Sequence, residues 1–308
     1  MALKGLLSGC TRKNSEGFTL IELLIAIGLS GIAACMVTYL FISQQRSYRI
    51  QIRLVALQQN LRTAMNILSR DIRMAGYGIS MDHGTYDRYI DWDPRRAGSD
   101  AFIPRIQGIN NITGTDRYRR HSDVVVIVKA GADSGTLEGV ECALADQNVL
   151  FINALDLDGD GDEDFSMGGR RYGVLMKSDM TAAQLFKILE LGPPVTVADS
   201  FRDTYIKGDR VSRADIVVYR VDDSNPSFPH PVLERNNIGN GNRFQVVAEN
   251  ITNLQLRYIR KDGSVVEEAM DDGFDVSAVE VSLAGEVDVG QGRIRQRSLT
   301  TLLKIRNS

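Results

Sequence analysis

Cysteine is scarce in this sequence: three among 308 residues, at positions 10, 35 and 142. Cys10 lies near the start and Cys35 inside an apolar run, so Cys142 has no evident partner and no disulfide framework can be read. The fold is therefore expected to stand without cross-links. Histidine is equally sparse. His83, His121 and His230 are scattered through loop-like sequence, without the spacing of a zinc site. A phosphate-binding glycine loop, a Cys-x-x-Cys pair and a Gly-x-Ser-x-Gly elbow are all missing. These absences argue against an enzyme. Charge of neither sign dominates: 36 basic side chains stand against 39 acidic ones, a net charge of -3. That balance argues against a dedicated nucleic-acid binder. The densest basic cluster, Arg117-Tyr118-Arg119-Arg120-His121, is more simply a solvated loop than a DNA contact. Proline is missing from residues 18–75, so nothing in that stretch forbids one long helix.

What is present begins at the N-terminus. Residues 1–17 carry Lys4, Arg12 and Lys13 against Glu16. From Phe18 to Gln45 the sole charged residue is Glu22. An apolar run of this length crosses a bilayer as a helix at about 1.5 Å per residue. The basic stretch precedes the run, whereas a secretory signal has its small-residue cleavage site after the apolar stretch. Lys4, Arg12 and Lys13 favour a cytoplasmic leader, but Arg46, Arg49 and Arg53 follow the run, so charge alone does not fix the orientation. Leu7-Ser8-Gly9-Cys10 matches a lipoprotein box only by accident, because hardly any apolar residues precede it. Ala26, Ser30 and Ala34 recur every four residues, which suits close helix contact, although small residues are also simply common in membrane helices. An intramembrane carboxylate costs roughly 2.5–3.5 kcal/mol on insertion scales, which makes Glu22 a functional candidate.

The segment Glu16-Gly17-Phe18-Thr19-Leu20-Ile21-Glu22-Leu23-Leu24-Ile25-Ala26 resembles the class III signal of type IV pilins and pseudopilins. The resemblance implies cleavage after Gly17 by a prepilin peptidase and methylation of the new N-terminal amine on Phe18. It also implies that Glu22, the fifth mature residue, pairs with the Phe18 ammonium of a neighbouring subunit and sets axial register in a fibre. Many major pilins carry a proline shortly after that glutamate; its absence here fits minor pilins and pseudopilins. Removing the leader takes away Lys4, Arg12, Lys13 and Glu16, which leaves 33 basic against 38 acidic side chains.

Beyond the apolar run, Leu54, Leu57, Leu61, Ala64, Leu68, Ile72 and Ala75 repeat at spacings of three and four, the stripe of an amphipathic helix. Gly76 and Gly78 end it. A helix from Phe18 to Ala75 would be ~87 Å long. Residues 68–77, Leu68 to Tyr77, resemble the helix-to-head junction of PilW-type minor pilins. On their own chemistry, Asp71 and the neighbouring arginines read as the solvated face of an ordinary helix end. Residues 79–122, rich in Gly, Asp, Arg and aromatics, read as loops and short elements. β-branched or alternating runs follow at Val124–Lys129, Val149–Leu155, Tyr172–Lys177, Ile216–Val221, Phe244–Val247, Leu254–Arg260, Ala278–Leu283 and Ser298–Arg306. Thr181–Leu191 is ambiguous between helix and strand. The expected fold is α+β: a long N-terminal helix and a mostly antiparallel β head. The expected domains are a leader at 1–17, a transmembrane half-helix at 18–43, an amphipathic half at 44–76 and a β-rich head at 77–308. Residues 247–258, 279–283 and 297–306 resemble the ending shared by PilW-type and GspJ-type proteins.

A second motif is acidic. Asp156, Asp158, Asp160, Asp162 and Asp164 fall at loop positions 1, 3, 5, 7 and 9, with Gly161 at position 6. Calcium takes six to eight oxygens, and alternate carboxylates in a tight loop converge on one ion. Met167 stands where an EF-hand needs glutamate. The loop is similar to the shorter Asp-x-Asp-x-Asp-Gly-x-x-Asp loops of extracellular repeat domains. That resemblance implies side-chain ligands at Asp156, Asp158, Asp160 and Asp164 and a carbonyl ligand at Asp162, with Ca2+ as a structural cofactor. The bland alternative is a solvated acidic turn.

The leading expectation is a PilW-type minor pilin that primes and enters a type IV pilus at or near its tip. Its partners would be the prepilin peptidase, other minor pilins, the major pilin and the inner-membrane assembly platform. It would sit in the bacterial inner membrane as a single-pass protein with a periplasmic head, and later on the pilus. The alternatives are a GspJ-type pseudopilin of type II secretion and a calcium-stabilised tip adhesin or DNA-uptake pilin.

Overall fold

The computed structural model describes residues 18–78, 106–110, 122–152, 156–157, 164–166, 171–192, 194–198, 200–224, 226–238, 243–269, 275–290 and 292–306. One long helix leads: α1, Leu20–Arg73. Among the described residues fifteen strands follow: β1 (Ile106–Ile109), β2 (Val124–Thr136), β3 (Glu141–Ala143), β4 (Val149–Leu150), β5 (Tyr172–Met176), β6 (Ala183–Glu190), β7 (Val195–Val197), β8 (Tyr205–Ile206), β9 (Arg210–Asp222), β10 (Val232–Asn237), β11 (Phe244–Glu249), β12 (Ile251–Arg260), β13 (Val265–Val266), β14 (Val276–Asp288) and β15 (Ile294–Lys304). The expected long helix and antiparallel β head are both present. The eight strand-like runs read from the sequence all contain strands, and Thr181–Leu191 resolves as β6. The chain divides into two compact units, residues 1–52 and 53–308.

In the first unit α1 is exposed along nearly its whole length. Its two hydroxyls in the apolar run are satisfied within the helix. Ser30 Oγ donates to the Ala26 carbonyl at 2.7 Å, and Thr38 Oγ1 donates to the Ala34 carbonyl at 2.8 Å. The helix is long and apolar enough to cross a membrane.

In the second unit the stripe on α1 is buried as its spacing requires, except for Leu54, which is half-buried. Leu57, Leu61, Ala64, Leu68, Ile72 and Ala75 enter a core that also holds Met65. Each fully buried leucine or isoleucine contributes about 1.5–3 kcal/mol. The stripe lies against two sheets. The smaller has the order β13-β12-β14-β15; Leu254, Leu256 and Tyr258 of β12, and Val279, Val281 and Leu283 of β14, point into the core at period two. The larger has the order β1-β2-β9-β5-β6-β7-β4-β3-β8. It forks at β9: Arg210–Arg213 pair with β5, and Val217–Asp222 pair with β10, which carries β11. All paired strands run antiparallel.

The central strands of the larger sheet are buried on both faces. Val125 and Ile127 face the helix core, while Val124, Val126 and Val128 face a second core with Val174, Leu185 and Ile216. This explains why β2 reads as a continuous apolar run rather than an alternation. The β5–β8 arm encloses a third core, in which Phe165, Phe186, Phe201 and Tyr205 meet edge to face or tilted at centroid distances of 6.0–6.3 Å. The chain crosses between sheets at Asn250, the one residue between β11 and β12, in the left-handed conformation that asparagine tolerates.

The end of α1 corrects one expectation. Asp71 is not on a solvated face; it is 1% exposed. It lies three residues after Leu68 and four before Ala75, on the apolar stripe itself. Tyr219 of β9 donates its hydroxyl to Asp71 Oδ2 at 2.6 Å, Arg235 Nε of β10 donates to the same oxygen at 2.9 Å, and Lys129 Nζ of β2 reaches Oδ1 at 3.0 Å. Arg70 and Arg73 are exposed, as expected. Past the helix, Gly76 adopts φ 72° and donates its N–H to the Val128 carbonyl at 2.8 Å, so the chain leaves the helix along β2.

Candidate functional site

The first turn of α1 holds the residues that carry the N-terminal motif. A helix start leaves its first N–H groups without intrahelical partners. Here Thr19 and Glu22 satisfy them reciprocally. Thr19 Oγ1 accepts from the Glu22 N–H at 3.3 Å, and Glu22 Oε2 accepts from the Thr19 N–H at 2.9 Å. The Thr19 hydroxyl also donates to Glu22 Oε2 at 2.8 Å. This is a capping box, the S/T-x-x-E pattern at the N-cap and N3 positions. Glu22 thus has a local partner that the sequence reading did not assign, although Thr19 and Glu22 at that spacing are the signal for it. Glu22 Oε1 has no partner among the described residues. A carboxylate beside the positive end of the helix dipole is stabilised there, and its second oxygen is open to an incoming cation.

Phe18 is 88% exposed at the start of the described chain, and Gly17 and the leader lie outside the described residues. Behind this turn, Leu20, Ile21, Leu23, Leu24, Ile25, Ile27, Leu29 and Ile32 are all more than half exposed.

Residues 12–38 match the model of the prokaryotic N-terminal methylation motif. The chain carries a type IV pilin signal. That match spans the positions of Gly17, Phe18 and Glu22 and supports a type IV pilin-like precursor; the motif implies processing by a prepilin peptidase and assembly with other pilins in a membrane machinery. The motif suggests a structural subunit. No curated protein and no solved structure matches the chain.

The acidic loop is described at its two ends. Asp158, Asp160 and Asp162 lie outside the described residues. Asp164 is buried beside Phe165, and its Oδ2 accepts from the Leu157 N–H, which closes the loop back on its own start. Asp156 and Asp164 are thereby brought to the same end of the loop. Among the described residues no group of three His, Cys, Asp or Glu side chains could hold a metal ion. His230 is exposed, whereas His83, His121 and the Arg117–His121 cluster lie outside the described residues.

Proposed function

We propose that this chain is a PilW-type minor pilin. It is cut between Gly17 and Phe18, methylated on the Phe18 amine, and built into a type IV pilus at or near the tip, where it primes assembly with other minor pilins and the major pilin. The supporting observation is the first half of α1: a methylation motif, a capped glutamate with one oxygen unpartnered among the described residues, and an exposed apolar surface. Such a surface is stable only in lipid or against other apolar helices. A pilin occupies both environments in turn, first as a single-pass protein of the inner membrane with a periplasmic head, then in the fibre. The Phe18 ammonium of a neighbouring subunit is the cation that Glu22 Oε1 would take, so each added subunit neutralises a charge that is costly in an apolar setting.

The test is where the chain resides. Antibody against the head should label filaments sheared from cells, concentrated at their ends. Labelling confined to membranes, with loss of protein secretion on gene deletion, would assign the chain to the GspJ-type pseudopilins instead.

We further propose a structural calcium ion in the 156–164 loop. The closure of Asp164 onto the Leu157 N–H favours it, because it brings the two ends of the acidic loop together, as a loop wrapped on one ion requires. Side chains of Asp156, Asp158, Asp160 and Asp164 and the carbonyl of Asp162 would hold the ion, with a dissociation constant on the order of 10⁻⁴–10⁻³ M. The ion would fix the loop against the third core. Adding 5 mM CaCl2 should raise the thermal midpoint of the chain, and Asp158→Asn with Asp160→Asn should abolish the rise. A midpoint indifferent to calcium would remove the site.

A further inference from the structure

We infer that the cleft between the C-terminal half of α1 and the free edge of β15 receives an extended acidic segment of a partner protein, which adds to the smaller sheet as a fifth strand. Strand β15 ends that sheet and, among the described residues, pairs with β14 alone. Its outer edge offers backbone donors and acceptors along 11 residues. An edge of this kind is a template for another strand.

Beside the edge lies a cleft of about 880 Å³. Arg62, Arg70 and Arg73 of α1 line it, with Lys304 at the end of β15 and Arg306 two residues beyond. No carboxylate lines it, and none of these five cations takes part in an ion pair among the described residues. Elsewhere in the head buried cations are matched by acids, as Arg220 is by Glu234 at 2.8 Å and Arg235 by Asp71 at 2.9 Å.

The pleat of β15 sets the pattern of the ligand. Leu303 and Ile305 are buried under the helix, whereas Leu299 and Thr301, on the same face, are half-buried and line the cleft. A strand laid on this edge directs every second side chain into the same space, toward the helix arginines. Carboxylates at those alternate positions would be matched one by one. The same cations, with Arg295 and Arg297 on the exposed start of β15, disfavour pairing of this edge with another basic edge. The cleft has no aromatic side chain on which bases could stack, which favours a peptide over a single-stranded nucleic acid.

The test uses the full chain in dodecyl maltoside and a fluorescein-labelled ten-residue peptide of alternating glutamate and threonine. Fluorescence anisotropy should show saturable binding that Arg70→Glu with Arg73→Glu weakens by about tenfold or more, since charge reversal at a rim acts on electrostatic complementarity. Both side chains are exposed, so the variant should retain the circular dichroism of the parent. Arg62→Glu with Lys304→Glu provides a second, independent reversal that should weaken binding likewise. Amide hydrogen exchange across Ile294–Lys304 should slow in the complex. Equal affinity for a lysine–threonine peptide or for oligo-dT would overturn the inference. So would peptide binding that leaves exchange in β15 unchanged.

Discussion

Asp71→Asn should destabilise the head by about 3–5 kcal/mol, the usual cost of removing one partner from a buried ion pair. The parent carboxylate is buried and is held below the ordinary range of aspartate. Burial itself raises its pKa, but the Tyr219 hydroxyl, the Arg235 hydrogen bond and charge, and the Lys129 ammonium together outweigh that effect. Asparagine is nearly isosteric and can still accept from Tyr219, so packing is kept. What is lost is the negative charge that compensates Arg235 and Lys129, which are 24% and 15% exposed. Their partial contact with water places the expected loss toward the lower end of the range. Chemical denaturation followed by near-ultraviolet circular dichroism measures it, because Tyr219 sits in the network.

The pH dependence of that difference has a definite sign. A carboxylate whose pKa is lowered on folding contributes stability that is present above its unfolded value, about 3.9, and is lost as pH falls through the folded value. The gap between parent and Asp71→Asn should therefore be full at pH 7 and close in strong acid. Tyr219 works in the opposite sense. Burial and the adjacent Asp71 raise its pKa well above that of free tyrosine, so the parent should lose stability as pH rises past about 10, where the unfolded tyrosine ionises. A variant within about 1 kcal/mol of the parent at pH 7, with a gap independent of pH, would refute the assignment of Asp71 as the charged centre of the junction.

Two further substitutions probe the core and the helix start. Gly108→Ala in β1 would bring a Cβ into the buried Tyr258 hydroxyl and should cost about 1–3 kcal/mol or more by overpacking. The ring carbons Cζ and Cε2 of Tyr258 would also be crowded, so Tyr258→Phe should recover only the hydroxyl's share of that loss, and a double-mutant cycle would measure the coupling. Glu22→Ala removes the capping box, at about 1 kcal/mol of helix stability, yet leaves the cleavage site intact. It should be processed normally and fail to enter filaments; normal entry would end the proposed pairing with Phe18.

Periodicity carried the sequence reading where one force dominated. The α1 stripe, the β2 run and the alternation in β12 and β14 each bury one kind of surface, and each is legible. The structure departs from the reading where two forces act on the same residues. Asp71 sits on the stripe by spacing, but its charge argued for solvent; only three partners from β2, β9 and β10 reverse that, and none is near it in sequence. Strand β10, Val232–Asn237, was missed for the same reason: its Glu234 and Asn236 are buried, and Arg220 of β9 makes Glu234 tolerable. Strand β6 was ambiguous because both faces are covered, Ala183 and Leu185 in the second core and Phe186 and Ile188 in the third, so no polar face marks its period. At the N-terminus the reading rests on the linear motif, since a peptidase and methylation signal is recognised as sequence. Its capping box lay in the same residues, at a spacing that was available but overlooked.

The most direct measurement is mass spectrometry of the mature N-terminus, on filaments and on membranes from the same cells. A peptide beginning with N-methylated Phe18 in both fractions is the predicted result, since processing precedes assembly. A chain that retains residues 1–17, or begins anywhere other than Phe18, would contradict the reading of Gly17, Phe18 and Glu22 on which the proposed function stands.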